Sequence, residues 1–132
     1  MATGPCGDAE LALSAAAGSP DYPVGSAPKL IMTVRNVSGR SCVRDLGPGV
    51  RELIVTSGPA HTWSSDDCQP GGASLLVMLK PGAAQTFTES WTGRRSQPKC
   101  RGNRSVATAG TYRVQARLGS LRSDPSVFRL RR

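Results

Sequence analysis

No apolar run in the sequence approaches the ~18–20 residues that a membrane-spanning helix needs. The first residues, Met1-Ala2-Thr3-Gly4-Pro5, lack the basic and apolar regions of a signal peptide. Aromatic residues make up 5% of the chain, two each of Trp, Tyr and Phe. That is too few for base-stacking platforms beyond a core, which argues against nucleic acid as a partner despite a pI of about 10.2. Histidine occurs once, at His61, and the cysteines form no C-x-x-C pair, so no zinc site is expected. There is no G-x-S-x-G elbow and no helix-period stretch. We expect no metal, no other cofactor and no enzyme.

The chain does have turn formers. Fifteen Gly and ten Pro in 132 residues favour many short strands over long helices. The length suits one domain over residues 1–132, with 1–5 as a linker. With 38% hydrophobic residues the core is thin, so covalent staples are useful. Cys6, Cys42, Cys68 and Cys100 are even in number and widely spaced, which points to disulfides and an oxidising compartment.

Charge is unevenly spread. Residues 1–93 carry 6 basic and 8 acidic side chains, whereas residues 94–132 carry 11 basic ones and the single acid Asp124. The whole net excess of +8 therefore lies in the last third. Arg94, Arg95, Lys99, Arg101 and Arg104 fall close together with no acid among them, and Arg113 and Arg117 share one face of a strand further on. This pattern suits an anionic partner.

Alternating apolar residues predict strands at 10–15, 29–36, 42–45, 52–57, 74–79, 85–91, 110–118 and 126–130. Seven or eight such strands, with a turn every ten residues or so, predict an all-β, immunoglobulin-like β-sandwich. Lys80-Pro81-Gly82-Ala83 carries turn chemistry, so 74–79 and 85–91 are expected to pair as a hairpin. One conflict stands out there: the parity that turns Phe87 and Trp91 inward also turns Glu89 inward. Either a bulge shifts the register or Glu89 sits at the rim of the apolar face with a partner.

Hairpin geometry selects among the three possible disulfide connectivities. If 10–15 pairs with 30–36, Cys6 lies beside Cys42. The same logic applied to the 74–79/85–91 hairpin places Cys68 beside Cys100. Both pairs are expected to be bonded.

Other candidate chemistry is sparse. His61 with Ser64 or Ser65 and Asp66 or Asp67 contains triad residue types, but neighbours in one loop rarely fold back as a triad. Asp66 and Asp67 offer oxygens to Ca²⁺ without the spaced pattern that surrounds a hard cation. Asn36-Val37-Ser38 and Asn103-Arg104-Ser105 match the glycosylation sequon. Met32 and Met78 read as core or hairpin residues.

The stretch from Leu79-Lys80-Pro81-Gly82 through Phe87 and Trp91 to Gly110-Thr111-Tyr112 and Phe128-Arg129-Leu130 resembles the BsuPI-type intracellular proteinase inhibitor domain. That resemblance implies an immunoglobulin-like sandwich and a protease-inhibitor-like reading, with an extended loop such as 18–28 or 97–107 presented to an enzyme. Tyr22-Pro23-Val24-Gly25, Val34-Arg35-Asn36-Val37-Ser38, Cys42-Val43-Arg44-Asp45-Leu46-Gly47 and Trp63-Ser64-Ser65-Asp66-Asp67-Cys68 are similar to segments of actinobacterial (mycobacterial-type) single-pass membrane proteins. This second resemblance implies an extracytoplasmic domain anchored through an upstream segment. The function expected is a non-enzymatic binding or scaffold module of the cell envelope. Its expected partners are an anionic wall polymer, an acidic lipid surface or an envelope protein.

Overall fold

A computed structural model describes residues 4–102 and 104–132. The described residues are all-β and form eleven strands: β1 (Leu11–Ala17), β2 (Asp21–Pro23), β3 (Lys29–Asn36), β4 (Cys42–Asp45), β5 (Arg51–Ser57), β6 (Ala60–Ser64), β7 (Leu76–Leu79), β8 (Ala84–Ser90), β9 (Gly110–Leu118), β10 (Leu121–Arg122) and β11 (Ser126–Arg131). They form three sheets: β1-β3-β8, then β2-β11-β9-β5-β6 with β10 on β9, and the pair β4-β7. All eight expected strands are present. The additional ones are two- to five-residue pieces, and β2 and β6 are sheet edges. Edge strands bury less and carry little alternation for a sequence reading to find.

The expected hairpin is not formed. Pro81-Gly82 does turn the chain, with Gly82 at φ +81° and Ala83 N–H donating to Lys80 C=O at 2.9 Å. The flanking strands then part, β7 pairing with β4 and β8 with β3. Asn36 explains the parting. Its main chain exchanges hydrogen bonds with Gly82 and Ala83, and its amide Nδ2 donates to Leu79 C=O at 2.9 Å and Arg40 C=O at 2.8 Å. The end of β3 thus clasps the turn and sends the chain from one sheet to another. Asn36 is fully buried, so its sequon is closed in the folded domain.

The core fills the space between the three- and six-stranded sheets. Inward residues Leu30, Met32 and Val34 of β3 meet Leu53 and Val55 of β5, and Tyr112, Val114, Ala116 and Leu118 of β9. Trp91, just past β8, is fully buried beside Trp63, Tyr112 and Phe128, with ring centroids 6.1, 6.1 and 6.3 Å away. Its indole N–H donates to Arg94 C=O at 2.9 Å, so its polar edge is satisfied. Met32 is in the core, whereas Met78 projects outward from β7.

Both disulfides join the expected partners, Cys6 to Cys42 and Cys68 to Cys100. The first follows from the antiparallel pairing of β1 and β3, which brings the start of β1 to the end of β3. Arg40 adds a second tie there. Its guanidinium bonds both carboxylate oxygens of Glu10 at 2.6 Å and reaches Pro5 C=O.

That pair has a pH signature. The Arg40 guanidinium, helped by the Gly7 N–H, lowers the Glu10 carboxyl from its usual 4.5 to about 2. A depressed folded-state value contributes stability above the unfolded value, and the contribution is lost as pH falls from about 4.5 through 2. In urea titrations, Glu10→Gln should be less stable than wild type at neutral pH, and the gap should close by pH 2. A gap independent of pH would assign the loss to packing instead.

Candidate functional site

Segment 94–106 leaves the buried Trp91 and runs beside β6. Ser96 N–H donates to Thr62 C=O at 2.9 Å, and Arg95 N–H donates to Ser105 C=O at 2.8 Å. Arg94 and Val106 form an isolated antiparallel bridge that closes the base of the loop. Gly93 makes the approach possible: its φ is +76°, and a Cβ there would lie 2.6 Å from Ser26 C=O. Further out, Cys100 ties the loop to Cys68. The expected basic loop is thus a clamped one.

Its five cations are exposed. Among the described residues none of Arg94, Arg95, Lys99, Arg101 and Arg104 takes part in an ion pair; Arg94 only donates to Arg104 C=O at 3.3 Å. Arg113 is exposed on the outer face of β9, opposite Thr56 of β5. Arg117, expected to extend the patch, is instead spent on structure. It bonds Glu52 at 2.7 Å and Asp66 at 3.3 Å. These partners lie 65 and 51 residues away in sequence, where no local pattern reveals them.

The loop between β6 and the second disulfide gathers the other candidates. Asp67 is buried, and its Oδ2 accepts from Ser96 Oγ at 2.6 Å and pairs with His61 Nε2 at 2.7 Å. Both partners converge on the carboxylate. A nucleophilic triad needs the serine bonded to the imidazole, and here Ser96 bonds the carboxylate instead. Ser64 Oγ donates to Glu52 Oε2, and Ser65 Oγ accepts from Leu53 N–H at 3.0 Å. Burial is the main cause that raises the Asp66 carboxyl above its ordinary value, with Glu52 adding repulsion and Arg117 opposing. Asp66 and Asp67 are each committed to side-chain partners. Among the described residues no group of three or more His, Cys, Asp or Glu is placed to hold a metal.

A second feature lies at the mouth between the sheets. A cavity of about 70 Å³ is bounded by Met32, Phe87 and Leu53 and rimmed by Arg51, Asp66, Gln69 and Glu89. A neighbouring one of about 180 Å³ continues past Trp63, Ser90 and Arg104, sharing Ser65, Gln69 and Glu89 with the first. The Arg51 guanidinium lies 4.0 Å over the Phe87 ring and donates to Leu46 C=O. The register of β8 on β3 is unbroken, so no bulge removes Glu89 from the inward parity. It sits half-buried at the rim, but among the described residues it lacks the expected partner, forming no ion pair.

No family model matches the chain, and no curated protein matches it. Solved structures do. A mutant β-glucosidase from Listeria innocua, in complex with laminaribiose, matches 93% of this chain over 16% of its own length, at 15% identity and a TM-score of 0.54. An alkylpurine DNA glycosylase from Pseudomonas fluorescens, bound to DNA, matches 93% over 31% of its length, at 14% identity and a TM-score of 0.52. A β-glucosidase from Bifidobacterium adolescentis matches 91% over 17%, at 17% identity and a TM-score of 0.51. The chain spans less than a third of each, and the likeness is one of fold.

Proposed function

We propose that the chain is an immunoglobulin-like β-sandwich acting as a non-enzymatic binding module on the extracytoplasmic side of a bacterial envelope, with its clamped basic loop as the contact for an anionic polymer. The observation that carries the reading is the set of five exposed cations in a loop held at base and tip. A clamped loop loses less conformational entropy on binding than a free tail, so its charges act together. Two disulfides suit an oxidising compartment. Tyr112 supports the immunoglobulin-like reading: near the start of β9, its hydroxyl donates to Thr108 C=O at 2.6 Å, the corner bond of such sandwiches. The actinobacterial resemblance adds an upstream membrane anchor to the proposal.

The test is cosedimentation with purified wall polymer and with anionic vesicles. Binding is expected at low salt and should vanish near 0.5 M, where the Debye length is only ~4 Å. Changing Arg94, Arg95, Arg101 and Arg104 to Ser should weaken it by about tenfold or more, since each charge near an anionic surface contributes up to about 1 kcal/mol. Equal binding by the variant overturns the assignment. A clamped exposed loop is also what a protease-inhibitor-like domain would present; inhibition across a protease panel that survives 0.5 M salt favours that second reading.

A further inference from the structure

The three-stranded sheet ends at β8, whose far edge has no neighbouring strand among the described residues. Two hydrogen bonds fix which of its residues face that edge. Trp91 N–H donates to Pro28 C=O, and Asn36 N–H donates to Ala83 C=O. In an antiparallel ladder the bonded pairs alternate, so Gln85, Phe87 and Glu89 exchange bonds with β3. The N–H and C=O groups of Thr86, Thr88 and Ser90 therefore point away from it. No protein group among the described residues accepts from or donates to them, and all three residues are exposed.

This edge borders the mouth between the sheets. Phe87 and Trp63 supply apolar surface there, with the buried Met32 behind Phe87. Glu89 is shared by both cavities and makes no hydrogen bond or ion pair among the described residues. The other charged groups are engaged or lie at the ends: Arg51 is held by Leu46 C=O and Phe87, Asp66 by Arg117, and Arg104 stands at the far rim. An added strand presents alternate side chains to the mouth.

We propose that the β8 edge is a docking site for an extended peptide of a partner protein, which adds as a strand and sets a lysine or arginine against Glu89. The chemistry matches on two counts. Free main-chain groups of an edge strand recognise another main chain, and a half-buried unpaired carboxylate recognises a cation. A second copy of this chain fits worse, because a two-fold β8–β8 contact would set two uncompensated Glu89 carboxylates on the same face. The site is separate from the basic loop, and its test does not depend on anionic binding.

The probe is a pool of blocked heptapeptides that alternate threonine with varied apolar residues and carry arginine at the centre, with a matched glutamate pool as control. Amide exchange of the ¹⁵N-labelled protein is the readout. The arginine pool should slow exchange at Thr86, Thr88 and Ser90 by about tenfold or more, and the glutamate pool should not. Thr88→Pro removes an N–H that β3 does not use, so it should abolish binding and leave the fold intact. Glu89→Lys should reverse the preference between the pools. No protection at about 1 mM peptide, where even weak complexes form, overturns the proposal. Unchanged binding by Thr88→Pro also overturns it. So does protection of the same amides that rises with protein concentration alone, which would mean a second copy.

Discussion

Replacing Trp91 with alanine should destabilise the domain by about 3–5 kcal/mol, the largest effect of any single substitution considered for it. The side chain is fully buried, and three other aromatic rings close around it. The substitution leaves a cavity where the two main sheets meet, and it strips Arg94 C=O of its indole donor. The measurement is the shift in urea midpoint at constant slope, with Trp63→Ala as comparison. Trp63 is only half-buried and should lose less. If Trp91→Ala unfolds at the wild-type urea concentration, the residue is not the keystone between the sheets.

The disulfides should come second, and they should separate. Cys6 and Cys42 are 4% and 0% exposed, whereas Cys68 and Cys100 lie at the surface. Lys99 and Cys100 both hold left-handed backbone, at φ 63° and 58°, which costs each of them roughly 1 kcal/mol or more. Graded reduction with thiol trapping should therefore open Cys68–Cys100 first, leaving Cys6–Cys42 intact. Changing both Cys6 and Cys42 to Ala should lower stability by about 3–4 kcal/mol on the loop-entropy model for a closed loop of this size. Simultaneous reduction of both bonds would count against a protected inner staple and an accessible outer one.

Strict alternation made most of the sheet legible. In Gly110–Leu118 every second residue is buried, and the pattern alone marked which ones. A turn signal carries less. Pro81-Gly82 specifies local dihedrals, but where its strands go afterwards depends on Asn36, more than forty residues earlier, and no local pattern records that clasp. The Cys68–Cys100 bond was expected on the strength of a hairpin that does not exist. The bond forms because Ser96 pairs with Thr62 and Asp67, which draws segment 94–106 against β6. The cluster of basic residues is visible as charge, yet Arg113 and Arg117 look alike in sequence. Only the fold shows Arg117 neutralised by Glu52 and Asp66. Glu89 was legible as an anomaly of parity, and the rim was one of its two expected places; its lack of an ion-pair partner among the described residues was not legible.

The clasp at Asn36 also makes the order of biosynthetic events readable. Its side-chain nitrogen, the atom that oligosaccharyltransferase would modify, is the atom that holds Leu79 and Arg40 carbonyls in the folded domain. Sugar transfer and closure of the clasp are mutually exclusive. In a glycosylating secretory host, occupancy at Asn36 would thus act as a clock, recording whether the enzyme reached the chain before β3 had received the Pro81-Gly82 turn.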